Sequence, residues 1–223
     1  MAKNKLKKFD DIAQFSNVTE HTPMNKEPFP YKGKWREKVF KNDNPIVLEL
    51  ACGKGEYSVG LAQLDKTRNY IGIDIKGSRI WQGANIALES GLNNVHFLRT
   101  YIDHLEQFFE KGEVNEIWII FPDPFLRDRD SKKRLTSEKF LNIYRNICSP
   151  ATTINLKTDS TELFEFTKEV IADEQLQILD VVDNVYEERP NDPVLTQIQT
   201  FYEHMHLLDH RSIHFISYQL YNK

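Results

Sequence analysis

Cysteine is scarce in this sequence of 223 residues, which contains only Cys52 and Cys148. Two cysteines cannot build a disulfide framework, and the 7 histidines are scattered without the spacing of metal ligands. We therefore expect neither redox chemistry nor a metal site in this protein.

Long hydrophobic runs are also missing. The longest apolar stretches, residues 45–52 and 117–121, fall far short of the roughly 20 residues that span a bilayer. The first residues carry charge but are not followed by the apolar segment of a secretory signal. These absences predict a protein without membrane contact that stays in the cytoplasm.

An overall excess of basic residues is absent as well: 29 Lys and Arg face 33 Asp and Glu, so the formal net charge is −4. Proteins that bind nucleic acids usually carry a basic surface, and the total charge argues against such a partner. The charge is unevenly distributed, however, because residues 127–134 contain five basic and two acidic side chains. This local excess keeps RNA phosphates as candidate ligands.

The chain divides near residue 44 into two parts. Residues 1–44 lack sustained periodicity and contain three prolines, which predicts a basic, largely irregular arm. In residues 45–223, short apolar runs alternate with segments of helical periodicity. This alternation is typical of one α/β domain with helices on both faces of a mostly parallel sheet.

Seven strands are predicted in this domain. A strand is expected within residues 176–185, and residues 214–221 alternate like a final antiparallel edge strand. The other five are short and mostly apolar, as strands buried on both faces tend to be. They are residues 46–50, 70–74, 95–98, 116–121 and 153–157.

The first candidate site follows the strand at residues 46–50. Gly53 and Gly55 lead from that strand into a helix, so the backbone can approach a ligand that a Cβ atom would repel. Ser58 stands where a dinucleotide fingerprint has its third glycine or alanine, which disfavours NAD. Glu49 would be costly as a solitary buried carboxylate, so we expect it to accept hydrogen bonds from the loop or to face a cationic ligand.

Asp74 ends the next predicted strand, where a carboxylate can accept hydrogen bonds from both hydroxyls of a ribose. Together with Glu49, it suits a nucleoside that carries positive charge better than it suits a pyrophosphate. These residues resemble the first two motifs of the class I S-adenosylmethionine-dependent methyltransferases. The resemblance implies a Rossmann-like fold and S-adenosyl-L-methionine as the cofactor.

Another candidate site lies at the end of the strand at residues 116–121. Pro122 and Pro124 bracket Asp123, fix the backbone on both sides of it and direct it off the carboxyl end of the sheet, where ligands of open α/β folds bind. The aromatic Phe125 and the basic residues 127–134 follow directly. A ring that can stack beside positive charge favours contact with RNA over a merely solvated loop.

Residues 121–135 closely resemble the Phe-Pro-Asp-Pro segment of the bacterial tRNA (guanine-N7-)-methyltransferases. Five ordered motifs share this resemblance, and together they are much more specific than any one of them. The other four are Tyr31-Lys-Gly-Lys-Trp35, Gly53-Lys-Gly55, Lys157-Thr-Asp159 and Thr200-x-Tyr-Glu203. The resemblance implies an enzyme that transfers a methyl group from S-adenosyl-L-methionine to N7 of a guanine in the variable loop of tRNA.

The same resemblance implies roles for individual residues. Asp123 matches the acid that serves both as the catalytic residue and in the cofactor site. The other cofactor-binding positions are Glu49, Gly53, Gly55, Asp74, Tyr101, Ile102 and Asp103. The substrate-binding positions are Arg127, Asp159, Thr200 and Glu203.

The chain departs from the family pattern where the adenine of the cofactor is expected. The family has an Asp there that holds the adenine amino group, whereas this chain has Tyr101, with Asp103 two residues later. Asp103 is expected either to replace the missing acid or to cap the following helix, and Ile102 to lie against the adenine ring. In the basic segment Arg127 replaces a lysine, and its fork favours bidentate phosphate contacts.

Two late motifs have a structural interpretation beside the functional one. Thr200 and Glu203 have the spacing of a helix capping box. Asp159 precedes an apolar helical stripe, as an N-cap residue does. Either structural role is compatible with contact to the substrate.

Methyl transfer to guanine N7 needs alignment more than proton removal, because N7 already carries a lone pair. A fixed carboxylate would stabilise the positive charge that develops on the guanine ring and would accept hydrogen bonds from its N1 and N2 hydrogens. Asp123 and Glu203 are the expected acceptors. Adenine has no N1 hydrogen, so the same carboxylates would disfavour it.

Three other functions stay open on the residues alone. Asp123-Pro124 also resembles part of the motif of methyltransferases that act on amino groups of nucleic-acid bases, although the second proline of that motif is missing. A small-molecule methyltransferase would not need the basic residues 127–134. The third alternative function is that of a non-catalytic RNA-binding module on a methyltransferase fold. The expected partner is tRNA, and a monomer and a homodimer are equally compatible with the sequence.

Overall fold

Within the residues that the structure describes, one sheet of eight strands organises the protein. The computed structural model describes residues 2–21 and 27–221. The strand order is β1-β4-β3-β2-β5-β6-β8-β7, and β8 runs antiparallel to both of its neighbours while every other pair is parallel. The strands are β1 Val18–Glu20, β2 Ile46–Leu50, β3 Asn69–Asp74, β4 Val95–Arg99, β5 Val114–Ile120, β6 Cys148–Thr158, β7 Ile178–Val182 and β8 His214–Gln219.

Helices cover both faces of the sheet. They are α1 Ala2–Ile12, α2 Glu56–Leu64, α3 Gly77–Glu89, α4 Glu138–Arg145, α5 Thr161–Asp173, α6 Val185–Glu188 and α7 Phe201–Leu208. Strand β2 shows why both faces need cover: Leu48 belongs to the apolar core beneath α4 and α5, whereas the adjacent Val47 belongs to the core beneath α2 and α3. Within the described part of the chain, no helix has the length and apolarity needed to cross a membrane.

The predicted α/β fold class is confirmed, with two differences in the sheet. The three-residue strand β1 adds an eighth strand at one edge, which its length hides from any periodicity analysis. The predicted antiparallel strand is present as β8, but it is not an edge strand. It lies between β6 and β7, because β7 passes beyond it and pairs with its outer side.

The segment predicted to be a largely irregular arm contains regular structure. Helix α1 packs on α3, where the Trp81 indole donates a hydrogen bond of 2.8 Å to Asp11 and Ile12 is buried. Strand β1 then pairs with β4. These contacts join residues that are far apart in the sequence, so they cannot be predicted from the local pattern of apolar and polar residues. The irregular arm predicted for residues 1–44 includes residues 22–26, which lie outside the part of the chain that the structure describes. The domain boundary near residue 44 stays a prediction.

The motif around Trp35 attaches the same segment to the domain core. Trp35 is fully buried, and its indole nitrogen donates a hydrogen bond of 2.9 Å to the carbonyl of Phe108. The Glu113 carboxylate accepts hydrogen bonds from the backbone nitrogens of Gly33 and Trp35, at 2.9 and 3.2 Å. A buried carboxylate satisfied by backbone donors is stable, so this motif has a structural role.

Candidate active site

A cleft of about 370 Å³ opens at the carboxyl ends of the central strands. It lies beside the point where the strand order reverses between β2 and β5, the usual ligand position in open α/β sheets. Of the predicted site residues, five line this cleft: Asp74, Tyr101, Ile102, Asp103 and Asp123. The fold therefore brings together the ends of β3, β4 and β5, which are distant in the sequence.

Asp74 is held by two backbone donors. Its Oδ2 accepts a hydrogen bond of 3.0 Å from the Gly53 nitrogen, and its Oδ1 accepts one of 2.7 Å from the Lys76 nitrogen. Each carboxylate oxygen keeps a second lone pair for a ligand. The contact with Gly53 ties the end of β3 to the glycine turn, so the orientation of Asp74 is fixed before any ligand binds.

The two glycines of the turn have different roles. Both have positive φ, 56° at Gly53 and 71° at Gly55, a conformation that other residues adopt at a cost. A Cβ at Gly55 would lie 2.5 Å from the Phe97 ring, so this glycine is required by packing inside the protein. A Cβ at Gly53 would meet only the Ala51 carbonyl, at 4.0 Å. Gly53 thus has open space beside it, where a ligand could approach.

Glu49 lies behind the cleft and does not line it. Its carboxylate is buried and accepts hydrogen bonds from the Ser58 nitrogen, at 2.7 Å, and from the Ser58 hydroxyl. Burial raises the pKa of Glu49 to about 8, and the two bonds from Ser58 oppose that rise. Glu49 was expected to accept hydrogen bonds from the loop or to face a cationic ligand; it does accept hydrogen bonds, but the donor is Ser58 in the first turn of α2 and not the loop.

The end of β4 places one unpartnered polar group at the cleft. Thr100 lines it and is fully buried, and its hydroxyl has no hydrogen-bond partner among the residues that the structure describes. Tyr101 is half exposed next to it. Asp103 neither caps the following helical turn nor stands free, because it pairs with Lys139 of α4. The Thr100 hydroxyl therefore lacks a hydrogen-bond partner beside the cleft but is shielded from solvent in this conformation.

Asp123 stands on a strained loop. Phe121 and Phe125, on either side of it, have φ of 46° and 44°, a left-handed conformation that costs a bulky residue about 1 to 3 kcal/mol. Asp123 is exposed and lines the cleft. Within the described residues its carboxylate has no hydrogen-bond or ion-pair partner. Strain of this kind persists only where the surroundings impose it, and it is typical of functional sites.

The basic segment begins beside this loop and is organised by Asp130. The buried Asp130 carboxylate pairs with Arg127 at 2.9 Å and with Lys133 at 2.7 Å. Arg127 itself is 69% exposed and does not line the cleft. The segment therefore presents its positive charge on the surface next to Asp123, and part of that charge is compensated internally.

The remaining substrate-side residues lie outside the cleft, around helix α7. The Asp159 carboxylate accepts a hydrogen bond of 2.8 Å from Arg211 and lies 3.4 Å from His206 of α7. It does not cap α5, because the hydroxyl of the next residue, Ser160, accepts a hydrogen bond of 3.2 Å from the Leu163 nitrogen. The N-cap residue of α5 is therefore Ser160, and Asp159 lies one position before it.

The predicted capping box at the start of α7 is confirmed. The Thr200 hydroxyl accepts from the Glu203 nitrogen at 3.1 Å, and the Glu203 carboxylate accepts from the Thr200 nitrogen at 3.3 Å. Glu203 is also fully buried, forms an ion pair with the fully buried Lys157 at the end of β6 and accepts a hydrogen bond of 2.8 Å from Tyr186. In this conformation the carboxylate faces the protein interior.

Sequence reasoning missed three of the basic residues that line the cleft. Lys76, Arg79 and Lys139 line it together with Lys133 of the predicted basic segment. Lys76 and Arg79 stand shortly after Asp74 in the sequence, a signal that was available. Lys139 reaches the cleft only because α4 packs near the end of β4, which no local pattern shows. Among the described residues no group of His, Cys, Asp and Glu is arranged to hold a metal.

Comparisons with known proteins identify similar methyltransferases. Residues 43–214 match a family model described as a putative methyltransferase. The tRNA (guanine-N(7)-)-methyltransferase of Bacteroides thetaiotaomicron is 44% identical over 222 residues, which are 99% of this chain and 87% of that protein. The protein of the same name from Christiangramia forsetii is 43% identical, over 98% of this chain and 99% of that protein.

Solved structures share the fold at much lower identity. An antibiotic-related methyltransferase superposes with a TM-score of 0.65 at 18% identity, covering 87% of this chain and 96% of that one. The 16S rRNA methyltransferase KamB gives a TM-score of 0.64 at 15% identity, covering 85% and 94%. These similarities confirm the predicted Rossmann-like fold.

Proposed function

The chain belongs to the tRNA (guanine-N7-)-methyltransferase family, and from that premise we propose that it transfers a methyl group from S-adenosyl-L-methionine to N7 of a guanine in the variable loop of tRNA. One observation carries the proposal. Asp123 stands without a partner among the described residues on a strained loop, and it shares a cleft with Asp74 and with the unsatisfied hydroxyl of Thr100.

The cleft fits the proposed cofactor. Asp74 offers a lone pair on each oxygen to the ribose hydroxyls, and the Thr100 hydroxyl offers a hydrogen bond to the adenine. Ile102 and Tyr101 provide apolar surface for the adenine ring. Gly53 leaves space at the turn. The bound cofactor would supply an activated methyl group on its sulfonium.

Asp123 is the proposed catalytic residue. Its carboxylate would accept hydrogen bonds from the N1 and N2 hydrogens of guanine and so orient N7 toward the methyl donor. The positive charge that methylation leaves on the guanine would be stabilised by the same carboxylate. The protein needs no strong base for this reaction, and none of its residues is required to remove a proton.

Glu203 would support the substrate indirectly. Its buried carboxylate is bound by Lys157, Tyr186 and the backbone of Thr200, which leaves it turned away from the cleft. We therefore propose that Glu203 fixes helix α7, while Arg127, Asp159 and Thr200 lie on the side where tRNA docks. Direct contact between Glu203 and the guanine stays a prediction, and it would require the carboxylate to turn out of the protein interior.

Exposed positive charge supports tRNA as the partner. Arg127 and Arg129 are 69% and 74% exposed, and they lie next to the loop of Asp123, where RNA phosphates would pass. A cytoplasmic location and the choice between monomer and homodimer stay predictions from the sequence.

The test is to incubate the protein with labelled S-adenosyl-L-methionine and unmodified tRNA, digest the RNA and identify the labelled nucleoside. We expect N7-methylguanosine from the variable loop. Labelled methyladenosine, or no labelled product, would contradict the proposal. The same tRNA with adenine in place of the variable-loop guanine serves as the matched control and should accept no label.

A further inference from the structure

Arg134, the last residue of the basic segment, differs from its neighbours in what it touches. It is 7% exposed, whereas Arg127 and Arg129 are mostly exposed. Its Nε donates a hydrogen bond of 3.0 Å to the Pro124 carbonyl, and its Nη2 donates one of 3.0 Å to the Phe125 carbonyl. Arg134 is therefore directed at the backbone that immediately follows Asp123.

The guanidinium of Arg134 is itself held in place. Its central carbon lies 4.3 Å from the ring centroid of Phe166, which belongs to helix α5. The Arg134 backbone is fixed on both sides, because its nitrogen donates to the Ser131 carbonyl at 3.0 Å and its carbonyl accepts from the Ser137 nitrogen at 3.0 Å. A side chain restrained at both ends can impose a conformation on its partner.

The loop needs such a restraint. Phe121 and Phe125 both hold positive φ, at 46° and 44°, and neither would keep that conformation without external contacts. At the start of the loop, the Phe121 nitrogen donates to the Lys157 carbonyl at 2.9 Å. At the end of the loop, the two bonds from Arg134 are the corresponding contacts.

We propose that Arg134 is a positioning residue that clamps the strained backbone after Asp123 and thereby sets the direction of the Asp123 carboxylate in the cleft. The proposal rests on the proposed function of Asp123. It separates the basic segment into two parts, since the exposed arginines serve RNA phosphates and Arg134 serves the geometry of the catalytic loop. A guanidinium suits this role because it donates two hydrogen bonds in a fixed plane, which an ammonium cannot do.

The test compares Arg134→Lys and Arg134→Ala with the wild type. We expect kcat for tRNA methylation to fall by about 10- to 100-fold, because small displacements of a positioning group have effects of this size. KM for tRNA should change less than about twofold, since Arg134 is not available to phosphates. Methylguanidinium added to Arg134→Ala should restore part of kcat. Arg145→Lys, which alters an arginine paired with Glu174 away from the cleft, should keep kcat.

A second readout does not depend on activity. Hydrogen exchange of the backbone amides in residues 121–127 should accelerate severalfold in Arg134→Lys, while exchange in the β2 and β3 strands stays unchanged. If kcat and this exchange were both unchanged, or if only KM for tRNA rose, the proposal would be overturned. If the wild-type protein methylated no guanine, the proposed function would fail, and exchange in the variant would still decide whether Arg134 clamps the loop.

Discussion

The two sides of the active-site region are held together in different ways. On the cofactor side, partners are close in the sequence: Glu49 binds Ser58, 9 residues away, and Asp74 binds Gly53, 21 residues away. On the substrate side, the start of α7 contacts a residue that is distant in the sequence: the Phe201 nitrogen donates a hydrogen bond to Glu56, 145 residues away. The two carboxylates on the cofactor side are thus held by nearby parts of the chain, whereas the start of α7 also depends on a contact with the distant helix α2.

The kind of interaction differs as well. The cofactor side uses backbone donors and one buried carboxylate. The substrate side depends on the ion pair between Lys157 and Glu203, both fully buried. A buried ion pair is costly to break, because the partner that remains is a buried charge without compensation. Loss of one partner of this ion pair should therefore lower the free energy of unfolding more than any single substitution on the cofactor side.

The largest effect is expected for Lys157→Met, which leaves the Glu203 carboxylate buried without its cation. We expect the free energy of unfolding to fall by about 3 to 5 kcal/mol, measured by urea denaturation. The double variant Lys157→Met, Glu203→Leu should recover most of the loss, because no charge is then left unpaired.

A matched control for this change is Lys168→Met. Lys168 pairs with Glu165 on the surface, where its side chain is 31% exposed and that of Glu165 is 57% exposed. Its loss should be about 1 kcal/mol or less. Equal losses in Lys157→Met and Lys168→Met would show that the buried pair is no costlier to break than a surface pair, contrary to this prediction.

Asp123→Asn should have the next largest effect, on activity and not on stability. The change keeps the size of the side chain but removes the charge that stabilises the methylated guanine, so kcat should fall by about 10²- to 10³-fold. The measurement is initial rates with saturating cofactor and tRNA. Asp128→Asn, an exposed carboxylate in the neighbouring segment, is the control and should keep kcat. An undiminished rate in Asp123→Asn would contradict the catalytic assignment.

The sequence predicted the cofactor side better than the substrate side for the same physical reason. The strand at residues 46–50 has the predicted bounds, and Asp74 and Asp123 lie together in the cleft as the ends of parallel strands require. Such positions follow from local patterns of strand, turn and helix. Once the strands are assigned, the parallel sheet itself brings their carboxyl ends together at one edge.

Distant pairings could not be predicted in this way. Glu203 was expected to read the guanine, yet its carboxylate is buried against Lys157, and nothing near either residue in the sequence indicates the pairing. Helix α1 was missed because its contact with Trp81 joins residues that are 70 positions apart. The role of Arg134 was hidden in the same manner, since a run of basic residues gives no sign that one member turns inward.

A smaller effect is expected from Glu49→Gln and concerns pH. Burial raises the pKa of Glu49 from an ordinary value of 4.5 to about 8. Between these values the folded protein holds a proton that the unfolded chain has released, so the contribution of Glu49 to stability declines as pH rises through this window. Glutamine does not titrate and can still accept a hydrogen bond from Ser58.

The measurement is thermal unfolding without cofactor, across the window from about pH 5 to about pH 8.5. The Tm of Glu49→Gln relative to wild type should rise by several degrees as pH increases. The exposed Glu89 provides the control, because Glu89→Gln should shift Tm by the same amount at every pH. A constant difference for Glu49→Gln would show that the carboxylate is ionised in the folded protein and that the cofactor side tolerates a buried charge.

The smallest effects separate the residues that could replace the missing adenine contact. Asp103 is 48% exposed and already paired with Lys139, itself 46% exposed, whereas the Thr100 hydroxyl is buried at the cleft without a partner among the described residues. Thr100→Val should weaken binding of S-adenosyl-L-methionine by about 2- to 10-fold, as expected for the loss of one hydrogen bond. Asp103→Asn should weaken it by less than about twofold, because an exposed ion pair contributes little. Calorimetric titration of both variants decides between them, and the reverse order of affinities would make Asp103 the substitute for the family's acid.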